Sequence, residues 1–182
     1  MLAVVFGITL LATMLLATTP VKTAEFLAND NNNTSGDLVI TSKKKNLYTA
    51  GNNVVLESNI DEDFVAAGAK VTAVKNNIIT GGVNIAAGTV ELKVGRVAKT
   101  VRIFAQDVTI SGSFDSDVMV FGNTLTIKNA TIKGDLIFAG NELNIEKTSI
   151  GGAFQGSYKT YNGDKELKAI VKVKLNNGKT RV

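Results

Sequence analysis

Asp63, Asp117 and Asp135, with Asp61 and Asp115 two positions before two of them, are the residues whose type and spacing come nearest to chemistry. Carboxylates brought together in pairs can ligate calcium, or serve as the acid and base of a glycosidase or lyase. The plainer reading is that Asp bonds nearby backbone in tight turns. Little else in the chain could assist a reaction. There is no His, no Cys and no Trp, so the commonest general base, the thiol nucleophile and the soft metal ligands are all missing. We expect no catalytic residue, no cofactor and no metal site, and the chain does not read as an enzyme.

These aspartates recur because the sequence around them recurs. Units begin Leu47-Tyr48-Thr49-Ala50-Gly51, Phe64-Val65-Ala66-Ala67-Gly68, Val83-Asn84-Ile85-Ala86-Ala87-Gly88, Val101-Arg102-Ile103-Phe104-Ala105-Gln106, Val118-Met119-Val120-Phe121-Gly122 and Leu136-Ile137-Phe138-Ala139-Gly140. A second apolar-polar-apolar triplet follows in each, from Val54-Val55-Leu56 to Leu143-Asn144-Ile145. A third apolar position closes each unit at Ile60, Ile78, Val97, Phe114, Ile132 and Ile150, with steps of 18, 19, 17, 18 and 18 residues. Alternation at spacing two makes each triplet a half-buried strand, and the period is too short for paired helices. The predicted fold is therefore all-β, a single-stranded β-helix (β-solenoid) of six to seven rungs, each about 18 residues long and stacked about 4.8 Å apart. Gln106 stands where the repeat has Gly, and Gly81-Gly82 reads as an insertion.

The flanks differ from the repeat. Residues 1–21 carry no charge and 2–17 are almost continuously apolar, which predicts a hydrophobic N-terminal helix within a signal peptide or membrane anchor over 1–24. Basic residues follow this run, Lys22 and then Lys43-Lys44-Lys45, and none precedes it. The positive-inside rule would then keep the repeat on the cytoplasmic face of the membrane, whereas the signal-like length favours export to the cell envelope. Residues 25–36 read as a polar linker, 37–157 as the β-helix and 158–182 as a basic extension with one or two strands. The extension has a charge balance of +5 against +4 for the whole chain, so the repeat itself is near neutral. A charge this small does not argue for nucleic acid.

Three surfaces are candidates for contact. Val65, Met119 and Ile137 are expected outward on the first strand of their rungs, as a lateral apolar stripe. An unfinished rung at Ile150 and Phe154, with Leu38 and Leu47 at the opposite end, is expected to join copies end to end. Lys165, Lys168, Lys172, Lys174, Lys179 and Arg181 are candidate contacts for an anionic cell-wall polymer or acidic lipid, or else guards of an open sheet edge. No aromatic platform and no long loop is expected to shape a cleft.

The units Asp117-Val118-Met119-Val120-Phe121-Gly122 and Gly134-Asp135-Leu136-Ile137-Phe138-Ala139-Gly140 resemble the rungs of bactofilins, polymer-forming bacterial cytoskeletal proteins. The resemblance covers residues 36–156. It implies a right-handed β-helix of triangular section that polymerises end to end without nucleotide and scaffolds envelope enzymes or sets cell shape. The hydrophobic N-terminus and single Pro bring this chain closer to the exported or membrane-attached variants. The expected function is a structural, self-associating scaffold of the bacterial cell envelope, with itself, the membrane and envelope components as partners. The alternative is a secreted or surface β-helical protein that binds or cleaves polysaccharide.

Overall fold

The computed structural model describes residues 25–28, 37–74 and 76–166 of the 182-residue chain. The apolar segment 1–24, the helix expected there, and the basic residues Lys168, Lys172, Lys174, Lys179 and Arg181 lie outside them. All described secondary structure is strand, and every pairing is parallel.

Strands β1 (Glu25–Ala28) and β2 (Leu38–Ile40) begin the coil. Six complete rungs follow. The first is β3 (Leu47–Leu56) closed by Ile60, and the second is β4 (Phe64–Ala73) with β5 (Ile78–Ile79). β6 (Val83–Val97) and β7 (Val101–Phe114) each run round a whole rung. The fifth rung is β8 (Val118–Phe121) and β9 (Thr124–Ile132); the sixth is β10 (Leu136–Ala139), β11 (Glu142–Glu146) and β12 (Ser149–Ile150). β13 (Phe154–Ser157) and β14 (Thr160–Gly163) start another turn. The result is a parallel β-solenoid of about seven turns.

Register explains why the repeat is legible on two faces and blurred on the third. From the first core residue of a rung to the second-strand core residue is always seven residues, as in Leu47 to Val54 and Leu136 to Leu143. From the third face to the next rung is always four, as in Ile60 to Phe64 and Ile150 to Phe154. Only the corner between the second and third faces varies, from six to eight residues. The longest belongs to the second rung, and it moves the core position from Ile78 to Ile79. Ile79 is fully buried and stacks between Ile60 and Val97, while Ile78 is 44% exposed. Gly81-Gly82 is therefore no insertion; these residues occupy the ordinary corner before Val83. Asn76, Asn129 and Lys147 sit at matching places in this variable corner with φ of 54°, 51° and 46°, the left-handed bend that, after Gly, Asn tolerates best. The repeat glycine likewise aligns through Gly51, Gly68, Ala87, Ala105 and Gly122, so its replacement in the fourth rung is Ala105 rather than Gln106.

Side chains at the inward positions form one continuous core. Volumes compensate within a rung: the large Phe64 shares its layer with Ala66 and Ala73, all essentially inaccessible to solvent.

Both ends depart from the sequence reading. Residues 25–28 do not belong to a linker, because β1 pairs in register with Leu47–Ala50 and so covers the core below Leu47. Glu25 falls in the core column of Leu47, and Lys44 bridges to Ile60 in the core column of the third face. Their side chains meet at 2.9 Å, so an ion pair closes the N-terminal end. At the other end the repeat outlasts residue 157. Thr160–Gly163 pairs with Glu142–Ile145 and sets Tyr161 in the column of Leu143. Phe154 is 2% exposed beneath Tyr158, their ring centroids 5.8 Å apart, and Tyr161 packs on Tyr158. The Tyr161 hydroxyl donates to the Lys165 carbonyl at 2.7 Å.

Candidate functional site

The aspartates form a ladder of backbone staples. Asp63 Oδ1 accepts the N–H of Gly82 at 2.7 Å, Asp117 Oδ1 that of Asp135 at 2.8 Å, and Asp135 Oδ1 that of Ala153 at 2.8 Å. Asn46 does the same one rung earlier, accepting from Asp63 at 3.1 Å. Each side chain thus fastens its own corner to the next. The space is tight: a Cβ on Gly134 would lie 2.3 Å from Asp117 Oδ1. These carboxylates are aimed along the stack at amide hydrogens, and no group of three metal-ligating side chains gathers among the described residues.

Other charges are also spent between rungs. Lys43 pairs with Asp61 at 2.8 Å and Lys45 with Glu62 at 3.2 Å, so all three lysines of that cluster reach acidic partners. Hydrogen bonds from Asn46 and then Lys45 lower the pKa of Glu62. Asp115 joins three rungs, taking Lys133 at 2.7 Å on one oxygen and Arg96 on the other; those two contacts, Lys133 first, hold its carboxyl below the usual range. On the second face Asn and Thr stack along the coil: Asn144 donates to Thr126 at 3.4 Å and Asn162 to Asn144 at 2.8 Å.

The first face is different, because most of its outward positions are apolar. Each first strand exposes two residues, and stacking turns them into two columns. One column reads Phe26, Tyr48, Val65, Asn84, Arg102, Met119, Ile137 and Gln155. The other reads Ala50, Ala67, Ala86, Phe104, Phe121, Ala139 and Ser157. Val65, Met119 and Ile137 are thus in one column, each half-buried by its neighbours. Arg102 is the single charge in the two columns.

The second column holds what the sequence reading missed. Phe104 is 56% exposed and Phe121 37%, and their rings stack at 5.2 Å with 11° between planes. That pair is an aromatic platform where none was expected. Below it, Ala50, Ala67 and Ala86 leave a shallow groove of about 520 Å³, flanked by Tyr48, Val65, Asn84 and Arg102, with Phe104 and Phe26 at its ends. The signal was present in the sequence as one unit opening Val101-Arg102-Ile103-Phe104 and the next opening Val118-Met119-Val120-Phe121, at the fourth strand position rather than the second.

The residues expected to join copies end to end are less available. Leu47 and Ile150 are fully buried and Phe154 nearly so; Leu38 is half-buried at the N-terminal end. Lys165 is exposed beside Tyr161.

The class of protein that these features define is a parallel β-solenoid with one apolar flank. Compared with protein-family models, curated proteins and solved structures, the chain matches none.

Proposed function

We infer that the protein is a structural, self-associating scaffold of a bacterial cell envelope and carries out no catalysis. The observation that supports this most is where its polar groups go: carboxylates and amides that could form a site are engaged in holding one rung to the next. What remains for function is a rod with a long apolar flank. The apolar N-terminal run, read as an export signal or anchor, brings that rod to the membrane. The likeness of its rungs to those of bactofilins supports the same role and a right-handed coil, the hand that parallel strand crossovers adopt.

End-to-end stacking, the mode that the resemblance implies, would set the Phe154, Tyr158 and Tyr161 cluster of one copy on the Glu25–Lys44 pair of the next. Stripping water from that pair makes this the weaker joint. The basic residues after Lys165 add a contact for anionic wall polymer or acidic lipid, screened by salt.

Sedimentation and negative-stain electron microscopy of the 182-residue chain test the scaffold reading: assemblies are expected, and a monomer at high micromolar concentration would sink it. The exposed Phe104–Phe121 stack favours one second reading, a platform for a sugar ring. In that case glycan binding should vanish in Phe104→Ala with Phe121→Ala while assembly persists.

A further inference from the structure

We propose that two copies pair through their first faces with their long axes antiparallel, each inserting its Phe104–Phe121 ridge into the other's alanine groove. The inference rests on the self-association reading and names the surface responsible. Its support is the order of residues along the two outward columns.

Consider a two-fold axis lying between two such faces, parallel to the strands and level with the gap between the Asn84 and Arg102 rungs. The operation keeps each column opposite itself and reverses its order. Phe104 then meets Ala86 of the other copy, and Phe121 meets Ala67. In the first column Met119 meets Val65 and Ile137 meets Tyr48. The two polar members of that run, Arg102 and Asn84, meet each other, a donor opposite an amide oxygen. In the four central rungs each ring faces an alanine, apolar faces apolar and polar faces polar; further out Ala139 meets Ala50, and at the rim Gln155 meets Phe26. A pairing with parallel axes lacks this match, because it sets column against column at equal height and brings Phe104 against Arg102 and Phe121 against Met119, large side chains on large, with no alanine to receive either ring.

Rung spacing and strand rise give the face a flat footprint of roughly 13 by 34 Å, about 450 Å² per copy. Two such footprints, about 900 Å² together, fall below the roughly 1,200 Å² of stable specific interfaces, which suits a reversible contact that closes at two copies. Ala67 and Ala86 are exposed, so the groove is open to a partner in the single chain.

The chain has no Cys, so single thiols can be placed at will. In the antiparallel pair, position 48 of one copy faces position 137 of the other across packed sheets about 10 Å apart, too far for a disulfide but within reach of a short bismaleimide. The two copies of position 48 lie about 26 Å from each other, five rungs along the rod and one sheet spacing across it. Mixing Tyr48→Cys with Ile137→Cys should yield a cross-linked heterodimer, and neither variant alone should cross-link. Ala67→Arg puts a charge on the groove floor without touching the core, and should weaken association about a hundredfold with an unchanged strand spectrum. Three results would count against the proposal. If the unmutated chain assembles yet Ala67→Arg assembles equally well and the mixture gives no heterodimer, the face is wrong and the scaffold reading stands. Self-cross-linking of Tyr48→Cys alone would make the axes parallel. A monomeric chain whose binding to zwitterionic phosphatidylcholine vesicles is lost in Ala67→Arg would assign the face to a membrane, and would end both readings.

Discussion

Lys44 Nζ lies 2.9 Å from Glu25 Oε2 at the end of the core, where neighbouring rungs hold Ile60 and Leu47. Inward-pointing charges are a known device for keeping an open sheet from recruiting another. Here each partner is only about one-fifth exposed, so a second rod docking on this end would have to bury the pair. Replacing both with leucine should convert the end into a sticky surface. Glu25→Leu with Lys44→Leu is expected to give longer head-to-tail filaments by electron microscopy than the parent chain, and unchanged filament length would show that the ion pair is no barrier.

The aspartate ladder separates an acceptor's role from a charge's role. Asp117→Asn keeps an oxygen for the Asp135 amide and should leave the melting temperature nearly unchanged. Asp117→Ala removes the acceptor and leaves that amide unsatisfied, at a cost of about 1–2 kcal/mol. Millimolar calcium should not shift the midpoint of either variant or of the parent chain. A calcium-dependent rise that disappears in Asp117→Asn would restore the metal reading.

How far the fold could be read ahead depended on how constant each segment of the repeat is. The first two faces keep a fixed spacing of seven residues, so their registers, Val54 with Val71 or Leu125 with Leu143, were plain in the sequence. The third face follows a corner of variable length, and in the second rung two adjacent isoleucines offered either residue to the core. Buried Asn77 helps to decide it: its side chain donates to the Ser58 carbonyl at 2.9 Å, and the next amide, of Ile78, bonds Asn59. Both terminal turns hid behind polar composition, since Glu25 and Tyr161 occupy columns held elsewhere by leucine, valine and phenylalanine. The Phe104–Phe121 ridge escaped because it appears only when rungs are stacked, two outward columns to a face.

Asp115 predicts a pH dependence. Its pKa is lowered by Lys133 and then Arg96, so the folded state holds the ionised form more strongly than the unfolded chain does. The resulting stabilisation is present above the ordinary carboxylate pKa and is lost as pH falls through the lower, folded value. Asp115→Asn should therefore melt below the parent at pH 7, by no more than about 1 kcal/mol for contacts at the surface, with Arg96 and Lys133 left facing a neutral amide. The gap should close as pH drops below about 4. A difference that stays constant from pH 7 to pH 3 would mean that packing, and not charge, accounts for the loss.

Phe154 distinguishes a structural end from an assembly joint. Because its ring is buried under Tyr158 and stacked on the column of Leu136, Phe154→Ala opens a cavity within the chain itself, and the cost of a buried Phe→Ala change is about 3 kcal/mol. Loss should be local: amides of Phe154–Ser157 and Thr160–Gly163 should exchange faster with solvent, while those of Val83–Val97 and Val101–Phe114 keep their protection. Lateral pairing uses rungs centred on Asn84 and Arg102, so the state of association should survive. Phe154→Arg should act in the same way and more severely, since a charge would replace an apolar ring in the last core layer. If either variant instead dissolves the assemblies while exchange at β13 and β14 is unaltered, Phe154 acts between copies and the end-to-end joint is the principal contact.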